Sequence, residues 1–387
     1  MKFSKFHQRM MQEVITLAKK GCGTTGKNPR VGAILVKNNR IISRGFHKQA
    51  GSPHAEATAI KLAGKKARGA SLYVNMEPCC HFGNTPPCTD AIIGAGIKRV
   101  FYSIDDPDIR NRGRAEKILK KNRIIVYKGL LKQDAENINA GFIKRNTKLL
   151  PYLTLKLAIS LDGKIATSDG QSKWITSENS RRIVQKLRMQ TDAILVGIKT
   201  VLKDNPSLSL RGKNGAFLSH QPYKVILDSD LRIPLNCNVL KSSPNRVIIV
   251  CKKRCSKDRI KKLAGKNVTV WQSHGLKEFI DVRWILKKLA KELSINYILC
   301  EGGAKVASSL LEQGCVDKII FFIAPILIGG DKSCTGEIGV KKLSSAIKLK
   351  NIKYGFALQY NPNVLRKDKA DSSLKDLIVE ADVYRNS

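Results

Sequence analysis

The residue types best suited to chemistry fall in one short stretch and one earlier pair. Met76 to Cys88 reads "MEPCCHFGNTPPC", and "SPHAEATAI" upstream carries His54 and Glu56 with one residue between them. Imidazole nitrogen and thiolate sulfur are the donors that tetrahedral zinc takes, and a catalytic site uses three protein ligands and leaves a position for water. His54, Cys79 and Cys88 supply those three. The ion would make a water acidic enough to attack near neutral pH. Glu56 is then the group that takes a proton from that water and delivers it to a leaving amine. Cys80 follows a ligand directly, and adjacent side chains point apart, so it reads as a buried or neighbouring thiol. His81 reads as a residue lining the pocket. A lone His-x-Glu or Pro-Cys would be weak evidence. The combination, with a proline-rich loop between the cysteines, is what points to a metal.

Those side chains need elements that bring them together. "VGAILV", "SLYVN", "RVFYSI" and "RIIVY" have the β-branched and aromatic content of strands. "HAEATAIKLAG", "CTDAIIGAG" and "AEKILKKN" read as helices between them, which predicts an α/β layer with a largely parallel sheet. His54 and Glu56 fall at a helix start. Cys79 falls just past a strand, and Cys88 follows Pro87 at the next helix start, where exposed N–H groups favour a thiolate. At the N-terminus, Met10, Val14, Leu17 and Ala18 recur at helical spacing. A polar, basic segment, "FIKRNTKLLP", places a domain boundary near residues 146–151. Beyond it "YLTLKLAIS", "DAILVG", "YKVILDS", "NRVIIVC", "NYILCEGG" and "KIIFFIAP" read as strands of a second α/β domain. "DLIVEADV" reads as a last strand after an unpatterned stretch from about Asn361. The expected domains are residues 1–147 and 148–387, with no internal repeat.

The chain has 387 residues, enough for two cores, and no run long and apolar enough to span a membrane. Its ten cysteines form no regular framework and no export signal precedes them, so a reducing, cytoplasmic setting is expected. The net charge of +39 comes from lysines spread along the chain rather than clustered with aromatics. That argues for compositional drift over a nucleic-acid surface, and neither nucleic acid nor membrane is expected as a partner.

His-x-Glu with Pro-Cys is the pattern of hydrolytic base deaminases, which usually place two residues between the cysteines. Here eight intervene. This longer loop resembles the bifunctional deaminase–reductase family of riboflavin biosynthesis, the RibD type, whose loop reads Pro-Cys-Ser-His-x-Gly-Arg-Thr-Pro-Pro-Cys. "NPRVGAILV" resembles the family's Asn-Pro-x-Val-Gly, which would set Asn28 against a pyrimidine. In the second half, "LKLAISLDGKIAT", "GQSKWIT", "LRMQTDAILVGIKTVLKDNPSLSLR" and "CEGGAKVASSLLEQG" resemble the reductase signature. The resemblance implies a cytidine-deaminase-like three-layer domain followed by a dihydrofolate-reductase-like domain that binds NADPH. Position-matching implies NADPH contacts at Ala158, Trp174, Thr200, Asp204, Ser229, Gly303, Ala304, Lys305, Val306, Ala307, Ser308 and Ser309. It implies substrate contacts at Lys156, Ser172, Arg188, Leu208, Arg211 and Glu301. Arg188 and Arg211 suit phosphate, since a guanidinium grips it through two bonds. From the residues alone Trp174 could equally be core, and His47 and Met76 read mainly as packing.

The implied function is zinc-dependent hydrolytic deamination of a diaminopyrimidinone ribosylamine 5′-phosphate. NADPH-dependent reduction of the ribosyl to a ribityl chain follows. Phosphorylated pyrimidines are the implied ligands and a homo-oligomer the implied assembly. The chain departs from the family at Lys27, where proline is usual, at Asn84, where arginine is usual, and at Asn205. It departs again through "DDPDIRNRGRA", at Asp108, Ile109, Asn111 and Ala115. A reductase with a degenerate deaminase domain, a nucleic-acid base deaminase and a non-catalytic binder are the alternative readings.

Overall fold

The computed structural model describes residues 3–83, 85–212, 215–273, 280–357 and 375–384. The chain forms two units, Met1–Leu150 and Pro151–Ser387. The first runs α1 (Lys5–Ala18), β1 (Gly32–Lys37), β2 (Arg40–Phe46), α2 (Ala55–Ala63), β3 (Ser71–Met76), α3 (Cys88–Gly94) and β4 (Arg99–Ile104). It continues with α4 (Arg114–Lys121), β5 (Ile125–Lys128), α5 (Lys132–Ile138) and α6 (Ala140–Lys148). Its five strands lie in the order β2-β1-β3-β4-β5. Side chains alternate across the pleat, so the sheet is buried on both faces. Ala33, Leu35, Leu72, Val74, Val100 and Tyr102 join α2 and its neighbours in one core, with Ala55, Ala59, Ile92 and Leu119. Ile34, Val36, Tyr73 and Phe101 meet Met11, Val14, Ala135 and Phe142 in the other. The result is a three-layer α/β/α sandwich.

The expectation of a largely parallel sheet fails at one edge. β1 pairs antiparallel with both β2 and β3, and only β3–β4–β5 run parallel. Asn38 and Asn39 take left-handed backbone at φ 51 and 59. They close β1 onto β2 in a two-residue hairpin of the kind Asn favours. The basic segment read as marking a boundary near residues 146–151 is mostly α6, which ends in left-handed Leu149, and the two units divide between Leu150 and Pro151. Its Phe142 belongs to the core.

Two glycines set the depth at which helices lie on this sheet. A Cβ at Gly45 in β2 would meet Ala55 O at 2.3 Å and Ala59 N at 2.8 Å, both backbone atoms of α2. Gly32 in β1 makes the matching close approach to α1, at 2.3 Å from Val14 O. Because α2 carries His54 and Glu56, Gly45→Ala is expected to lift its first turn from the sheet. Overpacking of this kind costs about 1–3 kcal/mol. The variant should lose zinc affinity and ammonia release together while NADPH oxidation is retained, measured by metal analysis and two activity assays.

The second unit contains β6 (Tyr152–Ser160), α7 (Glu178–Met189), β7 (Ala193–Gly197), α8 (Ile198–Asp204), β8 (Tyr223–Leu227), α9 (Asn238–Lys241) and β9 (Val247–Cys251). Then come α10 (Lys257–Ala264), β10 (Thr269–Gln272), α11 (Val282–Glu292), β11 (Tyr297–Cys300), α12 (Ala304–Glu312), β12 (Lys318–Ala324), β13 (Lys348–Phe356) and β14 (Leu377–Tyr384). The sheet order is β10-β9-β8-β7-β11-β6-β12-β14-β13. Strands β10 through β12 in that order are parallel, and β14 and β13 are antiparallel additions. β14 is the strand expected from "DLIVEADV"; most of the unpatterned stretch before it lies outside the described residues. β2 and β10 have no clean alternation in sequence, and β13 alternates only from Ile352 to Phe356. Asp376, just before β14, is buried and accepts bonds from Ser177 N and Oγ, each at 2.7 Å. This fastens the last strand to the N-terminus of α7.

Candidate active sites

In the first unit the zinc-type donors converge. His54 is the N-cap of α2 with extended backbone, and its Nδ1 lies 3.3 Å from Cys88 Sγ and 3.4 Å from Cys79 Sγ. The three ligand atoms lie within 4.8 Å of one another. One nitrogen and two sulfurs at that separation fit zinc. Cys80 is not part of the cluster. The helix-start N–H of Cys88 donates to Cys79 Sγ at 3.3 Å, so the helix end supports the sulfur of Cys79 rather than that of Cys88. The Cys88 thiol also donates to Cys79 and holds it well below the usual thiol range, with burial opposing and His54 reinforcing the shift. Thr85 Oγ1 lies 3.4 Å from His54 Nε2 and fixes the ring's outer edge.

Glu56 lies on the first turn of α2, 4% exposed, and burial pushes its carboxyl up to about 7. A carboxyl near neutrality is suited to both taking and returning a proton. It shares a cavity of about 290 Å³ with Asn28, His47, His54, Cys79 and His81. His47, read from sequence as packing, does more. Burial lowers its pKa, and its Nδ1 donates to Pro53 O at 3.3 Å. That leaves Nε2 to accept from Asn28 Nδ2 at 3.0 Å. One neutral imidazole thus links Asn28 to the residue preceding His54.

The loop at residues 105–115 is held by a group the sequence reading missed. Glu77, between Met76 and Pro78, is buried, and its carboxylate accepts from Asp106 N, Gly113 N and Ala115 N at 3.2, 3.0 and 3.1 Å. Asn111, one of the departures from the family pattern, is fully buried and returns the contact. Its Oδ1 accepts from Cys80 N at 2.7 Å and its Nδ2 donates to Pro78 O at 3.1 Å. The altered loop is therefore stitched to the cysteine loop by its own new side chain. The adjacency of Glu77 to the Pro-Cys motif was the available signal. Asn84 lies outside the described residues.

In the second unit three predicted residues meet. Arg188, at the end of α7, bonds Glu301 through Nε–Oε1 at 2.6 Å and Nη2–Oε2 at 2.9 Å, with side chains only 15% and 11% exposed. The two-pronged grip expected for phosphate is made to Glu301, whose carboxylate directly follows β11 and is largely removed from solvent. Burial raises the Glu301 carboxyl, but the Arg188 charge, its hydrogen bonds and the Lys156 charge outweigh it, so the net shift is downward. Lys156, in β6, is lowered by burial and sits 5.2 Å from the Phe322 ring centre. A carboxyl depressed in the folded state contributes stability that is full above its unfolded value of about 4.5 and is lost as pH falls through the lower folded value. All three tryptophans, Trp174, Trp271 and Trp284, lie in this unit. Tryptophan-detected stability should therefore fall below about pH 4.5 in the wild type, and Glu301→Gln should flatten that part of the acid slope.

Several of the remaining predicted residues follow the carboxyl ends of parallel strands, where α/β sheets bind ligands. Thr200 and Asp204 are on α8 after β7, Ser229 follows β8, and Gly303 caps α12 after β11. Asp204 Oδ1 is buried with no partner among the described residues. A Cβ at Gly303 would meet nothing within 4 Å. The start of α12 therefore has open space beside Gly303, and a helix start with room beside it fits a cofactor phosphate. Ala304 and Lys305 open the helix, Val306 packs over Gly197 and Gly302, and Ala307 is buried. Ser308 Oγ accepts from Gly336 N at 2.7 Å, and Ser309 Oγ from Gln313 Nε2 at 3.0 Å. Ala158, on β6, packs against the core beside Phe322. Ser172 is half-buried in the loop before α7. Trp174 is not core. It is 72% exposed with φ 68, and Arg181 stacks on it at 4.2 Å. Leu208 is the opposite case: its side chain is buried in the core, so a ligand there would meet its backbone. Arg211 stacks on Phe217 at 4.5 Å and donates to Gly215 O at 3.1 Å.

Comparison with known proteins assigns both units. Residues 4–104 match the cytidine and deoxycytidylate deaminase zinc-binding region, and residues 151–355 match the RibD C-terminal domain. The riboflavin biosynthesis protein RibD of Aquifex aeolicus is 42% identical over 345 residues, 89% of this chain and 93% of that protein. The Escherichia coli protein of the same name is 39% identical over 358 residues, 89% and 95% of the two chains. A structure of Acinetobacter baumannii RibD superposes with a TM-score of 0.84 at 33% identity, covering 98% of this chain and 99% of that one. The Thermotoga maritima diaminohydroxyphosphoribosylaminopyrimidine deaminase/5-amino-6-(5-phosphoribosylamino)uracil reductase gives 0.80 at 34%, with the same coverage. A zinc-type His/Cys/Cys cluster on a deaminase sandwich, joined to a reductase sheet and matched along nearly its whole length, places the chain in the RibD family of bifunctional riboflavin biosynthesis enzymes.

Proposed function

We propose that the first unit removes the 2-amino group of 2,5-diamino-6-ribosylamino-pyrimidinone 5′-phosphate by hydrolysis. The second unit then reduces the ribosyl of the deaminated product to ribityl with NADPH. The observation that carries this is the convergence of His54, Cys79 and Cys88 on a cavity that also holds the buried carboxyl of Glu56. Zinc, when bound to those three residues, supplies the Lewis acidity that ionises a water near neutral pH. Glu56 accepts a proton from the attacking water at a carboxylate oxygen and returns it to the departing nitrogen. Asn28, oriented by His47, meets the pyrimidine edge. In the second unit NADPH supplies the hydride when bound. Glu301 and Arg188 hold each other in place beside Lys156, whose ammonium orients the ribose.

The test is ammonia release from the diaminopyrimidine substrate before and after chelation, beside NADPH oxidation with the deaminated product. Release that stops on chelation and returns with zinc supports the first half. Zinc-loaded protein that releases none while oxidising NADPH would leave only the reductase. Two finer points belong to the proposal. Cys79 and Cys88 act as thiolates, which supports a reducing, cytoplasmic setting. β13 is an edge strand with Ile352, Tyr354 and Phe356 exposed, which supports a homo-oligomer; light scattering measures it.

A further inference from the structure

We infer that Lys27 and Arg145, whose guanidinium is bonded to the Lys27 backbone carbonyl at the cavity of the first unit, recognise the 5′-phosphate of the deaminase substrate; this rests on the deaminase reading above. A phosphate monoester carries close to two negative charges near pH 7, and its recognition needs cations in the same cavity as Glu56. Three lysine or arginine residues line it: Lys27, Arg110 and Arg145. Arg110 is matched by Asp108, its Nε lying 3.0 and 3.1 Å from the two carboxylate oxygens. Among the acids, Glu77 is engaged by three backbone N–H groups.

Lys27 and Arg145 are distant in sequence yet built into one corner. Arg145 Nη2 donates to Lys27 O at 2.8 Å. Six residues before Arg145, the fully buried Asn139 accepts from Arg30 N at 2.8 Å and donates to Arg30 O at 3.0 Å. The segment on both sides of Asn28 is thereby stitched to the helical end of the unit. The guanidinium lies 5.7 Å from the ring centre of Phe142, which also lines the cavity. A planar guanidinium held against an aromatic ring, next to a lysine, is a geometry that binds phosphate oxygens through charge-assisted bonds. The phosphate would then lie on the side of Asn28 marked by Lys27, and the pyrimidine on the side of Glu56.

The experiment compares kcat/KM for the 5′-phosphorylated substrate and its dephosphorylated counterpart in the wild type, Lys27→Ala, Arg145→Ala and Arg145→Lys. Losing a bond to a charged group implies a fall of roughly tenfold or more. Each alanine variant is expected to fall at least that much further on the phosphorylated substrate, mainly through KM, with Arg145→Lys intermediate. Equal falls on both substrates would overturn the inference and reduce the pair to a clamp for Asn28. An unchanged preference would overturn it too. Ribose 5-phosphate titrated calorimetrically into the wild type and the Lys27→Ala/Arg145→Ala protein tests the site without turnover. Loss of one binding event supports it, and superimposable isotherms overturn it. If the wild type releases no ammonia from either substrate, the deaminase reading fails, while the calorimetry still decides the anion site.

Discussion

Glu56→Gln is expected to lower ammonia release by about 10²–10⁴-fold, the range that positioned acid–base groups contribute, while zinc content and NADPH oxidation stay at wild-type levels. The amide preserves the shape of the carboxyl but cannot take a proton. Glu56 is 4% exposed on the first turn of α2, so no water or neighbouring side chain can easily replace it. The His54, Cys79 and Cys88 donors are separate atoms that the substitution leaves in place. Parallel metal analysis and two activity assays distinguish this from a collapsed site. Loss of zinc alongside activity would mean that Glu56 supports the metal site rather than moving protons. Full activity would remove it from the mechanism.

Arg188→Leu is expected to damage the second unit in two ways. Breaking a buried ion pair by removing one partner costs about 3–5 kcal/mol, because the other charge is left without compensation. Here the lower end applies, since Lys156 remains near Glu301 and both side chains of the pair keep slight exposure. The fall should appear in denaturant unfolding followed by tryptophan fluorescence, which reports only this unit. NADPH oxidation should drop with it, while ammonia release persists. The double variant Arg188→Leu/Glu301→Leu removes both charges and should regain part of the lost stability but not the activity. Recovery of both would show that the pair serves folding alone. No recovery of either would point to damage beyond the pair.

The two halves of the chain respond to different probes because their working residues lie in separate units. Metal chelation and Glu56 act on the sandwich of the first unit. Acid and Arg188 act on the sheet of the second. The altered 105–115 loop does not leave the first site loose, because Asn111 bonds both Cys80 N and Pro78 O.

By itself the sequence picked out the His54, Cys79 and Cys88 donor set, Glu56 beside it, two α/β units and most of the strands. Those features are local. A ligand set is written in residue type and spacing, and a strand such as "VIIVC" is apolar throughout because both its faces are buried. Tertiary structure decided what depends on residues far apart in the chain. The depth of α2 is set by Gly45, which only contact with Ala55 O reveals. β1 turns back through a hairpin whose left-handed asparagines carry no apolar alternation. A basic segment became α6 because Phe142 found a core to enter. Glu77 reached Gly113 and Ala115, Arg188 chose Glu301, and His47 took Asn28. In each case a buried polar group had to find a partner once water was excluded, and which partner lay within reach was fixed by the packing of the elements, not by the order of the residues.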